Sequence, residues 1–152
     1  VWSGFLFRLG RLQFNLAREE PEGRSEWVLS THIPRTGPLA PQDVDASFGW
    51  ARDFFARHFP ECPTRWFHCR SWLLDPALSR LLPGSNLAAF QQRWTRYGSP
   101  APGLADLLFF VYLRRGDVPL DDLPAGTTLQ RAVLDVLRRG EPWGTWDGRL
   151  AQ

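Results

Sequence analysis

Along the chain, stretches in which hydrophobic side chains recur every second residue give way to stretches with helical spacing. Phe5, Phe7 and Leu9 alternate with polar or smaller neighbours, and Leu12, Phe14 and Leu16 repeat the pattern after Gly10. A period of two predicts strand on both sides of Gly10, which is either a hairpin turn or a bulge in one long strand. Arg18–Ser25 reads as a polar turn and Trp27–Pro34 as a third strand, so short links make an antiparallel meander. The turn Arg35–Ala40 (RTGPLA) then runs into Pro41, a residue suited to a first helical position, with Asp43 and Asp45 where a helix dipole favours acids. Val44, Phe48, Ala51, Phe55 and Phe59 follow helical spacing and lay one apolar stripe on the sheet; Pro60 and Pro63 stop the helix.

Arg65–Leu74 (RWFHCRSWLL) is bulky on both faces and predicts a central strand. Asp75-Pro76 opens a short helix that ends at Pro83-Gly84. Ser85 or Asn86 caps the next, which carries Leu87, Phe90, Trp94 and Tyr97 on one face, and Gly98–Gly103 is a loop. Asp106–Arg114 (DLLFFVYLR) predicts a second central strand. Thr127-x-x-Gln130 is a capping box, with Leu129, Val133, Val136 and Leu137 as the buried stripe and Gly140 and Pro142 as terminators. Trp143–Leu150 reads as a last, edge-like strand. The predicted order is β-β-β-α-β-α-α-β-α-β, an α/β (α+β) domain whose mixed sheet carries helices on both faces.

Composition narrows the function classes. At 152 residues, 43% hydrophobic and 22% charged, the chain is sized and built for one domain with a core, not for disorder. No apolar run approaches the ~18–20 residues needed for a membrane-spanning helix. The N-terminal stretch VWSGFLFRLGRLQF lacks the order of a signal peptide. It starts with an apolar residue and no methionine, so we expect a fragment of a longer protein or a processed one. A formal net charge of +2 is too weak to imply nucleic acid. All 18 basic residues are arginine. Lysine chemistry such as a Schiff base is therefore absent, and every basic contact is a planar, permanently charged fork. Two cysteines, Cys62 and Cys69, make no disulfide framework, which predicts a reducing cytoplasm. His58, Cys62, His68 and Cys69 cluster in sequence, but their spacing matches no common zinc pattern, and no metal is expected. The eight tryptophans are either core residues or, in part, the lining of a groove.

The strand–turn–helix from Trp27 to Phe59 is the strongest candidate site. A strand turning sharply into a helix presents unpaired backbone N–H groups and the positive end of the helix dipole, which suits a phosphate or pyrophosphate. His32 ends the strand entering that turn. It is either a general base, with a reference pKa near ~6.5, or a ring that locks the turn through a backbone carbonyl. On the opposing strand, alternation puts Cys69 and Ser71 on one face and His68 on the other. Cys69 reads as a small core residue, Ser71 as a proton donor or a backbone partner, and Asp75 as a helix cap. Tyr97 and Tyr112 are the only phenols, and Tyr97 is a candidate general acid or a core residue.

The strings RLGRLQF (8–14), HIPRTGPL (32–39), CRSWLLDP (69–76), SNLAAFQQRW (85–94) and TTLQRAV (127–133) resemble, in collinear order and over nearly the whole chain, the GNAT-like C-terminal domain of a bacterial family of acyltransferase domain-containing proteins. The resemblance implies a GNAT-like, mainly antiparallel mixed sheet in a single domain, residues 1–152, that follows an N-terminal acyltransferase-like domain. It implies a cytoplasmic enzyme that takes acyl-CoA, or an acyl group on a carrier, and transfers the acyl group from the thioester to an amine. CoA would lie where two parallel strands, Trp27–Pro34 and Arg65–Leu74, splay apart. Ile33, Arg35, Thr36, Gly37, Leu39 and Ala40 would hold it, with His32, Ser71 and Tyr97 in catalytic roles. The usual loop pattern is Q/R-x-x-G-x-G/A. Arg35 and Ala40 fit its ends, but Pro38 stands at the middle glycine and Gly37 lies one place early, so one N–H donor of the cradle is missing. The alternative is a GNAT-like module that binds or scaffolds without catalysis, or one active only with its N-terminal partner. Arg8, Arg11 and Arg93, which lie in the matching strings, are expected to pair with carboxylates.

Overall fold

The computed structural model describes residues 4–152; the first three residues of the N-terminal stretch lie outside it. Strands β1 (Phe7–Leu9) and β2 (Leu12–Glu19) form a hairpin closed at Leu9↔Leu12, so Gly10 is a turn, not a bulge. Gly10 has φ +77°, and a Cβ there would lie 2.8 Å from Ser47 Oγ. That hydroxyl accepts the N–H groups of Arg11 and Leu12 at 2.8 and 3.3 Å. The turn therefore needs glycine for conformation and for space.

β3 (Glu26–His32) pairs antiparallel with β2, and α1 (Pro41–His58) returns the chain to place β4 (Thr64–Ser71) parallel to β3. β5 (Thr95–Pro102) and β6 (Gly144–Ala151) complete a six-stranded sheet in the order β1-β2-β3-β4-β6-β5. Among the described residues only the β3–β4 pair is parallel, so the mixed, mainly antiparallel sheet expected from the sequence is observed.

The helical stripe of α1 is buried as expected. Val44, Phe48, Ala51 and Phe55 face the sheet, and Phe48 packs its ring 4.6 Å from Phe67, 6.0 Å from Phe14 and 5.8 Å from Trp94. These side chains unite with Leu12, Leu16 and Leu29 in one core. The remaining helices are α2 (Pro76–Leu81), α3 (Asn86–Gln92), α4 (Leu104–Tyr112) and α5 (Thr128–Arg138). The predicted caps are present: Ser85 accepts from Ala88 N–H, Asp75 from Ala77 N–H, and Thr127 and Gln130 form a reciprocal capping box.

Four local expectations are corrected. Asp106–Arg114 is not a strand but lies largely in helix α4; an apolar run of that length fits a buried strand or a buried helix equally well, and here tertiary packing decides. Tyr97 is not on a helix, because α3 ends at Gln92 and residues 95–102, read as helix end and loop, form β5. β5 is rich in Pro, Gly and Ser and carries a register irregularity between Tyr97 and Ala101, which an edge strand tolerates. β6 lies inside the sheet, between β4 and β5, rather than at its edge. β4 stops at Ser71, where Trp72–Leu74 coil into one 3-10 turn. The element order is thus β-β-β-α-β-α-α-β-α-α-β.

Candidate active site

The parallel pairing of β3 and β4 ends at Ser30↔His68, yet β3 continues to His32 and β4 to Ser71. The two strands part there, and a cleft of about 1090 Å³ opens between their C-terminal ends. On the β3 side it is lined by His32, Ile33, Arg35, Gly37 and Leu39. On the β4 side the lining passes from Cys69 and Ser71 to Trp72 and Leu73. The starts of α3 and α5, through Ser85 and Thr127, and Phe110 of α4 close the remainder.

One side chain, Arg11, which also lines the cleft, makes three bonds to the loop 34–40, and Arg8 adds one to Thr36 Oγ1. Arg11 donates from Nη1 to the Pro34 carbonyl (2.9 Å), from Nη2 to Gly37 (2.8 Å) and from Nε to Pro38 (2.9 Å). Thr36 N–H returns to Pro34 (2.8 Å). Among the described residues, the N–H groups of Gly37, Leu39 and Ala40 have no protein acceptor. Ala40 is the N-cap of α1 and offers no side-chain cap; Pro41 has no N–H, and Asp43 and Val44 N–H donate to the Ala40 carbonyl, so the start of this 18-residue helix adds one donor without a protein acceptor among the described residues, Gln42 N–H. Gly37 takes φ +81°, which lets the chain reverse between the two prolines. Arg35 donates from Nε to the Phe110 carbonyl (2.9 Å), leaving both Nη groups for a ligand in the cleft. Burial, with Arg8 nearby, lowers the pKa of Arg11 from its usual value.

The opposite wall is equally fixed. Ser71 Oγ accepts Leu73 N–H (3.1 Å) and so starts the 3-10 turn. Gln91, buried in α3, donates from Nε2 to the carbonyls of Leu73 (2.8 Å) and Asp75 (2.7 Å), and Trp143 Nε1 donates to Trp72 (2.9 Å). Asp75 Oδ2 accepts Gly144 N–H at 2.7 Å, tying this wall to β6.

One sheet face beside the cleft is polar. Register places Gln13, Asn15, Ser30, His32, His68, Asp147 and Arg149 on it. His68 Nε2 bonds Asp147 Oδ1 (2.9 Å) and lies 3.3 Å from Glu19; Tyr97 OH donates to Glu19 (2.8 Å), and Arg149 also reaches Glu19 (3.0 Å).

The structure therefore gathers His32, Ser71, Ile33, Arg35, Gly37 and Leu39 at one cleft. Thr36 and Ala40 lie in the same loop behind its lining, with Thr36 Oγ1 accepting from Arg8 (3.3 Å). Tyr97 is not brought there. It stands in the Glu19–Arg149 network on β5, where burial, with Glu19 as bonded partner, pushes its pKa up. His32 bonds an asparagine side chain, not a backbone carbonyl: its Nε2 lies 2.6 Å from Asn15 Oδ1, and burial followed by the nearby His68 lowers its pKa. Cys69 faces the core and is buried, which pushes its thiol up to about 12. Arg93 meets Asp45 as expected, but Arg8 and Arg11 bind loop oxygens instead of carboxylates. The sequence reading missed the structural roles of Arg11, Asn15 and Gln91. Only Gln91 carried a signal, as a polar residue three positions before a buried tryptophan on a short apolar helix.

This is a mixed-sheet domain with one splayed parallel pair, a strand–loop–helix turn whose backbone N–H groups lack acceptors, and a cleft beside them. Residues 6–150 match the family described as the GNAT-like C-terminal domain, and the chain belongs to that family. Among solved structures, it is similar to an acyltransferase in complex with decanoyl-CoA, at 41% identity and TM-score 0.88 over 97% of this chain and 46% of that one. Two further complexes of an acyltransferase, one with decanoyl-CoA and teicoplanin and one with CoA and 10C-teicoplanin, match at 41% identity with TM-scores of 0.87 and 0.85. Each of these two shares 97% of this chain and 47% of its own length. The chain thus spans about half the length of the solved chains it matches. No curated protein matches it. Among the described residues no helix is long and apolar enough to cross a membrane.

Proposed function

We propose that this chain is the acyl-CoA-binding half of an acyltransferase that moves an acyl group from a thioester to an amine. The observation that carries the reading is the loop 35–40. Its Gly37, Leu39 and Ala40 N–H groups lack acceptors, and it opens α1 at the point where β3 and β4 part. Pro38 contributes no donor, and the Nη groups of Arg35 supply the charge-assisted bonds that a pyrophosphate needs in its place. The pantetheine arm would enter between the strand ends, past Ile33, toward His32 and Ser71. The solved relatives hold CoA or decanoyl-CoA, which is the ligand chemistry this cradle favours.

In this reading the amine attacks the thioester carbonyl carbon, the C–N bond forms and the C–S bond breaks. Neutral His32 takes the proton that the amine loses. Ser71, whose Oγ already accepts a backbone N–H, keeps its own hydrogen to hydrogen-bond the departing thiolate, which finally takes the proton that His32 received from the amine, so that both side chains end as they began. Tyr97 has no part in the transfer. The amine acceptor and an N-terminal acyltransferase-like domain complete the assembly, and the protein works in the bacterial cytoplasm with Cys62 and Cys69 as free thiols. A second reading, a module active only beside its N-terminal partner, is favoured by the half-length match to the solved chains.

Thermal unfolding with CoA, acetyl-CoA and decanoyl-CoA tests the proposal. Saturation at about 100 times the dissociation constant stabilises the native state by ~2.7 kcal/mol, or roughly 5–10 °C in a domain of this size. The shift should weaken in Arg35→Ala. No shift with any of the three ligands would sink CoA binding by this chain. A shift without amine acylation by the chain alone would favour the partner-dependent reading.

A further inference from the structure

Asn15 decides which nitrogen of His32 is free to take a proton. It lies on β2 opposite Ser30, one step along the polar face from the Gln13↔His32 pair. Its Nδ2 donates to the Leu16 carbonyl at 3.1 Å. That anchor turns Oδ1 toward His32, 2.6 Å from Nε2. An amide oxygen accepts and never donates, so the ring nitrogen that faces it carries the hydrogen. A neutral imidazole has one N–H, which leaves the lone pair on Nδ1. Ser30 Oγ, 3.5 Å from the same Nε2, is too distant to compete.

We propose that Asn15 is a positioning residue for His32: by holding Nε2 as N–H, it orients the ring and presents Nδ1 as the proton acceptor for the attacking amine. The proposal rests on His32 as the base. As the amine proton moves to Nδ1, the Nε2–H···Oδ1 bond persists, so the ring stays aimed through the transfer. A neutral amide also adds no charge that would trap the proton on the ring, as a carboxylate in its place would. The charged and titratable groups sharing this face are Arg8 on β1, Glu19 on β2, Glu26 on β3, His68 and Arg70 on β4, Tyr97 on β5, and Asp147 and Arg149 on β6. The three carboxylates are already engaged, Asp147 by His68 and Arg70, Glu19 by Tyr97 and Arg149, and Glu26 by Arg65 and Arg149. Burial and the neighbouring His68 lower the pKa of His32, which keeps the ring neutral and the tautomer meaningful near neutral pH.

The direct test is NMR of this chain carrying ¹⁵N-labelled histidine. Wild type should show His32 with a protonated Nε2 and a bare Nδ1. Asn15→Ala should show mixed tautomers. Asn15→Asp keeps the acceptor and adds a charge, so it should retain Nε2–H and raise the titration midpoint by roughly one pH unit or more. A wild-type proton on Nδ1, or an Asn15→Ala ring unchanged in tautomer and titration, overturns the proposal. In acyl transfer, Asn15→Ala should lower kcat roughly 10-fold to 100-fold with little change in KM for acyl-CoA, and Asn15→Asp should move the acid limb of the pH profile upward. A purely structural residue would lower the unfolding temperature and leave that limb in place. Turnover that survives His32→Ala removes the base, and with it this role for Asn15. Turnover lost in His32→Ala but untouched in Asn15→Ala, with the same pH profile, overturns the positioning role alone.

Discussion

Replacing Arg11 by methionine keeps the aliphatic stem and removes the fork that binds the carbonyls of Pro34, Gly37 and Pro38. The Pro34 bond is partly shielded from water, while the other two are exposed. A shielded bond from a charged donor is worth about 1.5 kcal/mol at the low end and a water-exposed one about 0.5 kcal/mol, so the loss is about 2.5 kcal/mol. The backbone bonds from Arg11 and Leu12 to Ser47 survive, which confines the damage to the loop. If the loop stays formed in the variant, the whole loss appears as a fall of roughly 5–10 °C in unfolding temperature. If the loop melts locally, bound CoA must restore it, and affinity falls by up to roughly 60-fold instead. Thermal unfolding together with a CoA titration captures the sum, however it divides. Arg11→Lys should fall between the two, because a single ammonium cannot reach three carbonyls in a plane. An Arg11→Met protein with unchanged unfolding temperature and unchanged CoA affinity would refute the claim that this side chain builds the cradle.

Other expectations follow from the same geometry. Gly10→Ala brings a Cβ 2.8 Å from Ser47 Oγ at φ +77°, and should cost about 2 kcal/mol or more in urea unfolding, since left-handed backbone alone costs ~1–2 kcal/mol without glycine. Phe48→Ala empties the space between Phe14, Phe67 and Trp94, and should cost about 3–5 kcal/mol by the same assay. Cys69 sets an alkaline limit. Its folded pKa of about 12 lies above the ordinary 9.0, so the unfolded chain loses that proton first. The native state should lose up to roughly 1.4 kcal/mol per pH unit as pH rises from the lower value toward the higher. Cys69→Ala should remove that contribution and leave only the slope that Tyr97 and Tyr112, whose pKa values are also raised, add above the ordinary tyrosine value, and a native thiol assay should find Cys62 reactive and Cys69 silent. His32 works in the opposite window: its lowered pKa makes the contribution complete above the ordinary histidine value and lost as pH falls toward the folded one.

What was legible in the sequence and what was not divide along a physical line. Elements whose identity rests on local chemistry were readable: the period-two strands around Gly10, the apolar stripe of α1, the Thr127–Gln130 box and the cap at Ser85 all form as their residues dictate. Elements whose identity is set by neighbours were not. The run in α4 is apolar all round and satisfies a strand or a helix until Trp72 and α5 claim it. β5 carries Gly98, Pro100 and Pro102, which argue against any strand, and is a strand because β6 offers it an edge. The same division runs through the candidate site. Strand, turn and helix announced an anion cradle, since that depends on contiguous backbone. The groups that aim it come from a different part of the chain: Arg11 reaches the loop across 23 to 27 positions, and Asn15 reaches His32 across 17. Asn15 stands on β2 and Arg11 in the turn just before it, and neither differs in type from the other arginines and the other asparagine of the chain. β2 therefore does two tasks with alternate faces, its apolar side chains filling the core under α1 while Asn15 meets the ring at the mouth of the cleft. A one-residue slip of its register against β3 would exchange the two faces. The hairpin at Gly10 and its lock to Ser47 thus help to set the candidate site although they lie outside the cleft.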